Sequence, residues 1–201
     1  MNKIKLLIAG IGVSGVLFLL PVLGLGQAAV DANYEVTVQV LMGSDDTATA
    51  KGALPGNLNG ISQQIRSKVG FSNLRLAGTI IGRIANQGGF EYKSFSDLFG
   101  QDPKFRSFLE LTLSGLKADL AGKESSLDIQ MLKFGARVPV VVGFRRDEAG
   151  KDQPSVSYEQ IGLTLSRLGI SENVPTLVGT LDVPNGNEMI FLVVTVKTLD
   201  R

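Results

Sequence analysis

The chain has 201 residues, 20 of them Lys or Arg and 19 Asp or Glu, and it contains neither cysteine nor histidine. Without cysteine there is no disulfide scaffold, no thiolate metal site and no lipid-bearing cysteine behind a leader; without histidine, His-dependent triads and His-containing zinc sites are excluded, which leaves carboxylates, lysines and hydroxyls as the catalytic groups. The balanced charge also argues against a nucleic-acid partner, since the nearest approach to a basic stripe, Phe144-Arg145-Arg146, is followed at once by Asp147 and Glu148.

Residues 1–28 read as a signal peptide. Lys3 and Lys5 give a cationic start, Leu6 to Gly26 is an uncharged apolar run broken by Pro21, and Gly26 and Ala28 are the small residues of a cleavage site before Ala29. The rival reading is an uncleaved membrane anchor, because about twenty apolar residues are enough to span a bilayer as a helix; Pro21, the glycines and the small residues before Ala29 favour cleavage. Loss of Lys3 and Lys5 lowers the formal charge from +1 to −1. The remaining 29–201, about 170 residues, is long enough for one exported β-rich domain with its own core.

Tyr34 to Met42 alternates, with Tyr34, Val36, Val38 and Val40 on one parity and Glu35, Thr37 and Gln39 on the other, which predicts a half-buried strand. Gly43 to Gly56 reads as a loop. Its Asp45-Asp46 pair offers too few oxygens for a calcium site, the next acid being Glu91. Leu58, Ile61, Ile65 and Val69 recur at helical spacing between a cap at Asn57 and a stop at Gly70, which predicts one amphipathic helix covering a sheet. From Phe71 the period becomes two, with Leu74, Leu76, Ile80 and Ile84 on one face of a long strand bent at Gly78 or Gly82.

Past the turn at Asn86 to Gly89, Leu109, Leu111 and Leu113 face inward along one strand, and Leu127, Ile129 and Met131 do so along the next, after a turn at Gly122. Pro139 makes Arg137 to Val142 an edge strand or a strand end, since proline cannot donate to a ladder. Phe144 to Pro154 reads as a charged loop. Val156 to Leu165 alternates again, and Thr176 to Leu181 leads through Val183-Pro184-Asn185-Gly186-Asn187 into a final hairpin strand. Met189 to Val196 is apolar without alternation, so it is expected to be central and buried on both faces.

The fold class is therefore α+β, a mostly antiparallel sheet of about eight strands with one amphipathic helix, following the signal segment. An eight-stranded outer-membrane barrel fits less well, because the chain has few aromatics for two girdles and a minimal barrel has no place for the helix.

Two segments of the tail carry a resemblance. Tyr158-Glu159-Gln160-Ile161-Gly162-Leu163-Thr164-Leu165 resembles the strand with a G-L-x-L core of the secretins, the ring-forming channels of bacterial secretion and pilus systems, and Val174-Pro175-Thr176-Leu177-Val178-Gly179-Thr180 resembles their strand before a final hairpin. The opening strand, the helix and the long strand to Ile84 follow in the same order. The chain lacks the preceding ring-building domains and the long gate hairpins, and it shows no obvious membrane-inserting lip. What the resemblance implies is a periplasmic, secretin-like β domain, and it does not imply a pore.

No segment carries a catalytic, metal or cofactor motif, so no cofactor is expected. Glu110, Asp128 and Glu159 lie on the polar parity of their strands, where a shared sheet face would suit a carboxylate-dependent hydrolase of envelope carbohydrate. The leading expectation is instead a non-enzymatic protein of the cell envelope, periplasmic or extracellular, acting on envelope proteins as an accessory of secretion or pilus assembly. Phe90, Tyr92, Phe95 and Phe99, within a stretch unusually dense in aromatics, read first as a plug for one end of the core. The same segment is the best candidate in the chain for an interaction surface.

Overall fold

In the computed structural model the described residues are 33–45, 54–71, 73–99, 105–119, 126–148, 150–184 and 187–199. Residues 1–28, Asp46, the Gly122 turn and the Asn185-Gly186 pair lie outside them. The described residues belong to one unit, Asp31–Arg201.

Among the described residues eight strands and one α-helix follow in the order β1 (Asn33–Ser44), α1 (Asn59–Val69), β2 (Asn73–Ala85), β3 (Gly89–Ser96), β4 (Ser107–Asp119), β5 (Ser126–Arg146), β6 (Asp152–Ser171), β7 (Thr176–Asp182) and β8 (Glu188–Leu199). They form two four-stranded sheets, β2-β1-β8-β7 and β3-β4-β5-β6. Every pairing is antiparallel. The expected fold class is what the structure shows.

The two sheets stack on a shared core. Val36, Val38, Val40, Ile190, Leu192, Val194 and Val196 from the first sheet meet Leu109, Leu111, Leu113, Leu132, Phe134 and Ala136 from the second. On its other face the first sheet is covered by α1, whose Ile61 and Ile65 join Leu58, Leu41, Leu74, Phe191 and Val193 in a second cluster. β1 and β8 are thus buried from both sides, and this is why Met189 to Val196 is apolar without a period. Gly43 belongs to β1 rather than to a loop: a side chain there would meet the rings of Phe191 and Phe71 at 2.7 and 3.0 Å.

Around the helix the sequence reading needs two changes. Asn57 is not a side-chain cap; a 3-10 turn over Gly56–Leu58 leads into α1, with Leu58 at the N-cap and no side-chain hydrogen bond. Gly70 closes the helix as expected, left-handed at φ 87° with its N–H donated to the Arg66 carbonyl at 3.2 Å. Val69 stays exposed instead of completing the apolar face.

Three strand assignments also change, each for a physical reason. The β1–β2 register shifts between Val40 and Leu41 and leaves Ala77 as an extra residue, so Leu74 and Leu76 face α1 while Ile80 and Ile84 face the other sheet. In the second sheet Gly115 on β4, Gln130 on β5 and Arg167 on β6 are extra residues at one level, and Gly115 and Arg167 have φ of 67° and 55°. This kink flips the parity of all three strands together, so Leu132 replaces Met131 on the inward face. A Cβ on Gly115 would lie 2.5 Å from that of Gln130, so the kink needs glycine there.

Finally, Arg137 to Val142 is no separate strand and Phe144 to Pro154 is no loop. β5 runs for 21 residues and β6 answers it for 20 across the turn between Arg146 and Asp152. Pro139 is tolerated because β4 pairs β5 no further than Arg137, which leaves one edge of β5 free where the proline sits. Beyond that point β5 and β6 continue as a two-stranded arm.

Candidate interaction face

Whereas α1 covers the outer face of the first sheet, no described element packs on the outer face of the second. That face follows from register. Leu109, Leu111, Phe134, Ala136, Ile161 and Leu163 point into the core, so Phe108, Glu110, Lys133, Arg137, Gln160 and Thr164 point away from it. β3 adds Phe95 opposite Phe108, and Lys93 opposite Glu110.

Most of this face is polar, but one strip is not. Phe95 is 67% exposed and its ring meets Phe108 edge-on at 5.6 Å. Pro139 is the diagonal neighbour of Phe108, a spacing that aromatic side chains reach. From Pro139 the strip runs along the arm through the outward pairs Pro139–Tyr158, Val141–Val156 and Phe144–Pro154, with the bulge residue Val142 beside them. Val141, Val142, Phe144 and Tyr158 are 54, 64, 73 and 50% exposed, so with Phe95 this one strip holds five of the eight large exposed apolar side chains among the described residues. An apolar concentration of that kind marks a contact surface, whereas single exposed side chains do not.

The end of the arm is held by its own turn. Asp147 accepts a hydrogen bond from the Lys151 N–H at 2.8 Å and another from the Gln153 amide at 3.3 Å, and Arg146 pairs with Asp152 at 3.3 Å. Toward the other end lie the ion pairs Lys93–Glu91 at 3.8 Å and Arg106–Asp97 at 3.5 Å. The strip thus has a polar rim on a preformed scaffold.

The four aromatics expected as an interaction segment separate. Phe90, Tyr92 and Phe99 pack against the core between the sheets, and Phe95 alone of the four is exposed on the outer face. The sequence hides the arm residues because the charges of Phe144 to Pro154 make that stretch resemble a loop. The signal that could have found them is the apolar run Val138 to Val142 placed in register with Val156 and Tyr158.

The three acids do not come together. Glu110 lies on the outer face opposite Gly135, whereas Glu159 shares the parity of Ile161 on the other face. Asp128 lies seven residues along β5 from Gly135 and pairs with Lys117 at 3.6 Å. Two surface depressions of about 470 and 270 Å³ contain Asp128 and Glu110 respectively, each as the one carboxylate among its described lining residues. A glycosidase needs two carboxyl groups about 5–10 Å apart across one bond, and the described residues of neither depression supply them. Among the described residues no group of three or more Asp or Glu is placed to hold a metal ion.

No protein-family model matches the sequence, and no curated protein is similar to it. Three similar solved structures are secretion-channel assemblies. The secretin InvG of the Salmonella SPI-1 type III secretion injectisome aligns over 85% of this chain and 66% of that one, at 9% identity and a TM-score of 0.33. The injectisome basal body of InvG, PrgH and PrgK gives 85% and 46% coverage, 9% identity and a TM-score of 0.33. The Klebsiella pneumoniae type II outer membrane complex of PulD, PulS and the PulC HR domain gives 85% and 39%, 10% identity and 0.31. This chain spans about two thirds or less of these three chains. These likenesses to secretins are weak and distant, as is the resemblance read from the tail.

Proposed function

We propose that the chain is a non-enzymatic protein of the cell envelope that acts by protein–protein contact, as a secretin-like accessory of secretion or pilus assembly, and that its contact surface is the outer face of the second sheet. The observation that carries this reading is the uncovered strip from Phe95 to Phe144. Residues 1–28 act as the signal peptide, so N-terminal sequencing of exported protein should begin at Ala29; recovery of intact Met1 in membranes would replace secretion with anchoring.

The contact itself is tested by photo-crosslinking from Phe95 and Phe144 in living cells. Adducts with protein should form at both positions and should be absent from Ile81, an exposed apolar side chain on the other sheet. Equal labelling at all three positions, or none, would remove the strip as a contact surface.

A further inference from the structure

We infer that the protein covering this strip is a second copy of the same chain, laid face to face and antiparallel so that Phe95 of one copy meets Phe144 of the other. The inference rests on the strip being a protein-contact surface, and three features select the occupant.

The first is area. From their fractional exposures, the five most exposed side chains of the strip offer roughly 600 Å². Two copies would remove about 1,200 Å² from water, the lower limit for a specific association.

The second is the distribution of rings. Phe95 with Phe108 lies at one end, Phe144 at the other, and Pro139, Val141 and Tyr158 lie between. A two-fold axis through the middle sets ring against ring at both ends, which is the self-complementarity an isologous contact requires.

The third feature concerns the flanks and disfavours a lipid surface. β5 has no β4 beside it beyond Arg137, and β6 is the edge of its sheet. Burying the arm in hydrocarbon would carry both unpaired backbone edges out of water, whereas face-to-face packing leaves them hydrated. The tip from Arg145 to Asp152 has three cations and three acids, so no net charge draws it to anionic headgroups.

The test uses the full chain recovered from the envelope of expressing cells. Sedimentation from low to high micromolar concentration should show a monomer–dimer equilibrium. Phe144→Asp should weaken it at least tenfold, with Val142→Ser as the milder variant should the first disturb folding, and Ile81→Asp should leave it unchanged. Since the chain has no cysteine, a mixture of Phe95→Cys and Phe144→Cys proteins should form a disulfide-linked heterodimer in preference to either homodimer.

A monomer at every concentration, a larger assembly indifferent to Phe144→Asp, or preferential Phe95→Cys homodimers would each overturn the inference. So would a monomer that binds vesicles of phosphatidylcholine and phosphatidylglycerol through Phe144, which would assign the strip to lipid. If the chain is monomeric yet crosslinks in cells from Phe95 and Phe144 to a different protein, the contact reading survives and the second copy is rejected. Absence of both would reject the two together.

Discussion

The two sheets differ in what lies on their outer faces, and the difference is written into their side chains. On the first sheet α1 closes the outer face over Leu41, Phe191 and Val193, so there β1 and β8 bury neighbours of both parities, Leu41 with Met42 and Phe191 with Leu192. On the second sheet nothing described closes it, and Lys93, Glu110, Lys133 and Thr164 keep that face wet. A face left to water has no reason to carry Phe95, Val141, Val142, Phe144 and Tyr158 in one strip. The covered face teaches what apolar residues on both parities ordinarily mean, which is that something packs there.

The sharpest way to break this comparison is to place a charge in each region. Val193→Asp, beneath α1 and fully buried, should cost several kcal/mol and abolish the cooperative thermal transition, because the carboxylate has no partner. A folded Val193→Asp protein would mean that α1 does not seal that face. Next in size is the loss of a ring. Phe134→Ala in the core between the sheets should cost about 3–5 kcal/mol by chemical denaturation, whereas Phe95→Ala should stay within about 1 kcal/mol because its ring is largely in water. Similar losses would mean that the outer face is covered within a single chain.

How much of this was legible depends on whether one residue more or less changes the pattern. β1 and α1 announce themselves by period, the last hairpin by its turn residues, and the two-sided burial of Met189 to Val196 in β8 by the lack of a period. The extra residues at Ala77, Gln130 and Arg167 leave no mark in composition, yet each reverses every side chain beyond it, which is why Met131 was expected inside. Eight strands were expected and eight are present, but by a different route. β3 was passed over although Phe90, Tyr92, Glu91 and Lys93 alternate, while Pro139 divided the single strand β5 in two.

Of the proposed contact surface, Phe95 is visible in the sequence as part of an aromatic cluster. The rest of the strip depends on pairing across the arm, and that is long-range information. The arm is also wet on much of its surface, so charges such as Arg145, Arg146 and Asp152 can occupy a strand without disturbing it, and a charged strand in water reads like a loop.

A smaller effect should appear at alkaline pH. Burial pushes the Tyr34 hydroxyl above its ordinary value of 10.0, the Glu172 carboxylate pushes it further, and a hydrogen bond accepted from the Ala118 backbone acts in the opposite direction. The folded chain therefore holds this proton after the unfolded chain has lost it. Stability tied to Tyr34 is fully present below pH 10 and declines as pH rises through the raised value. Tyr34→Phe cannot lose that proton, so the stability gap between wild type and variant should change above pH 10 in favour of the variant. A gap that is constant from pH 8 to 11 would mean that Tyr34 ionises freely in the folded protein.

The smallest effect expected is at Glu110, and its smallness separates a scaffold from an active site. Glu110 lies on the outer face opposite Lys93 and Gly135, with one side of its strand pair bare of any side chain. No described ion pair holds it, and Glu159 is on the other face. Glu110→Ala should therefore shift the unfolding free energy by no more than about 0.5 kcal/mol, as surface substitutions do. It should also leave the concentration dependence of self-association intact, since the strip passes along the Phe108–Pro139 diagonal and Glu110 lies outside it. If this exposed carboxylate instead proved costly to remove, or if its removal abolished contact while Phe144→Asp did not, the working part of the face would be its polar rows rather than its apolar strip. The contrast between a covered sheet and an uncovered one would stand, but the occupant would have to be sought among polar partners.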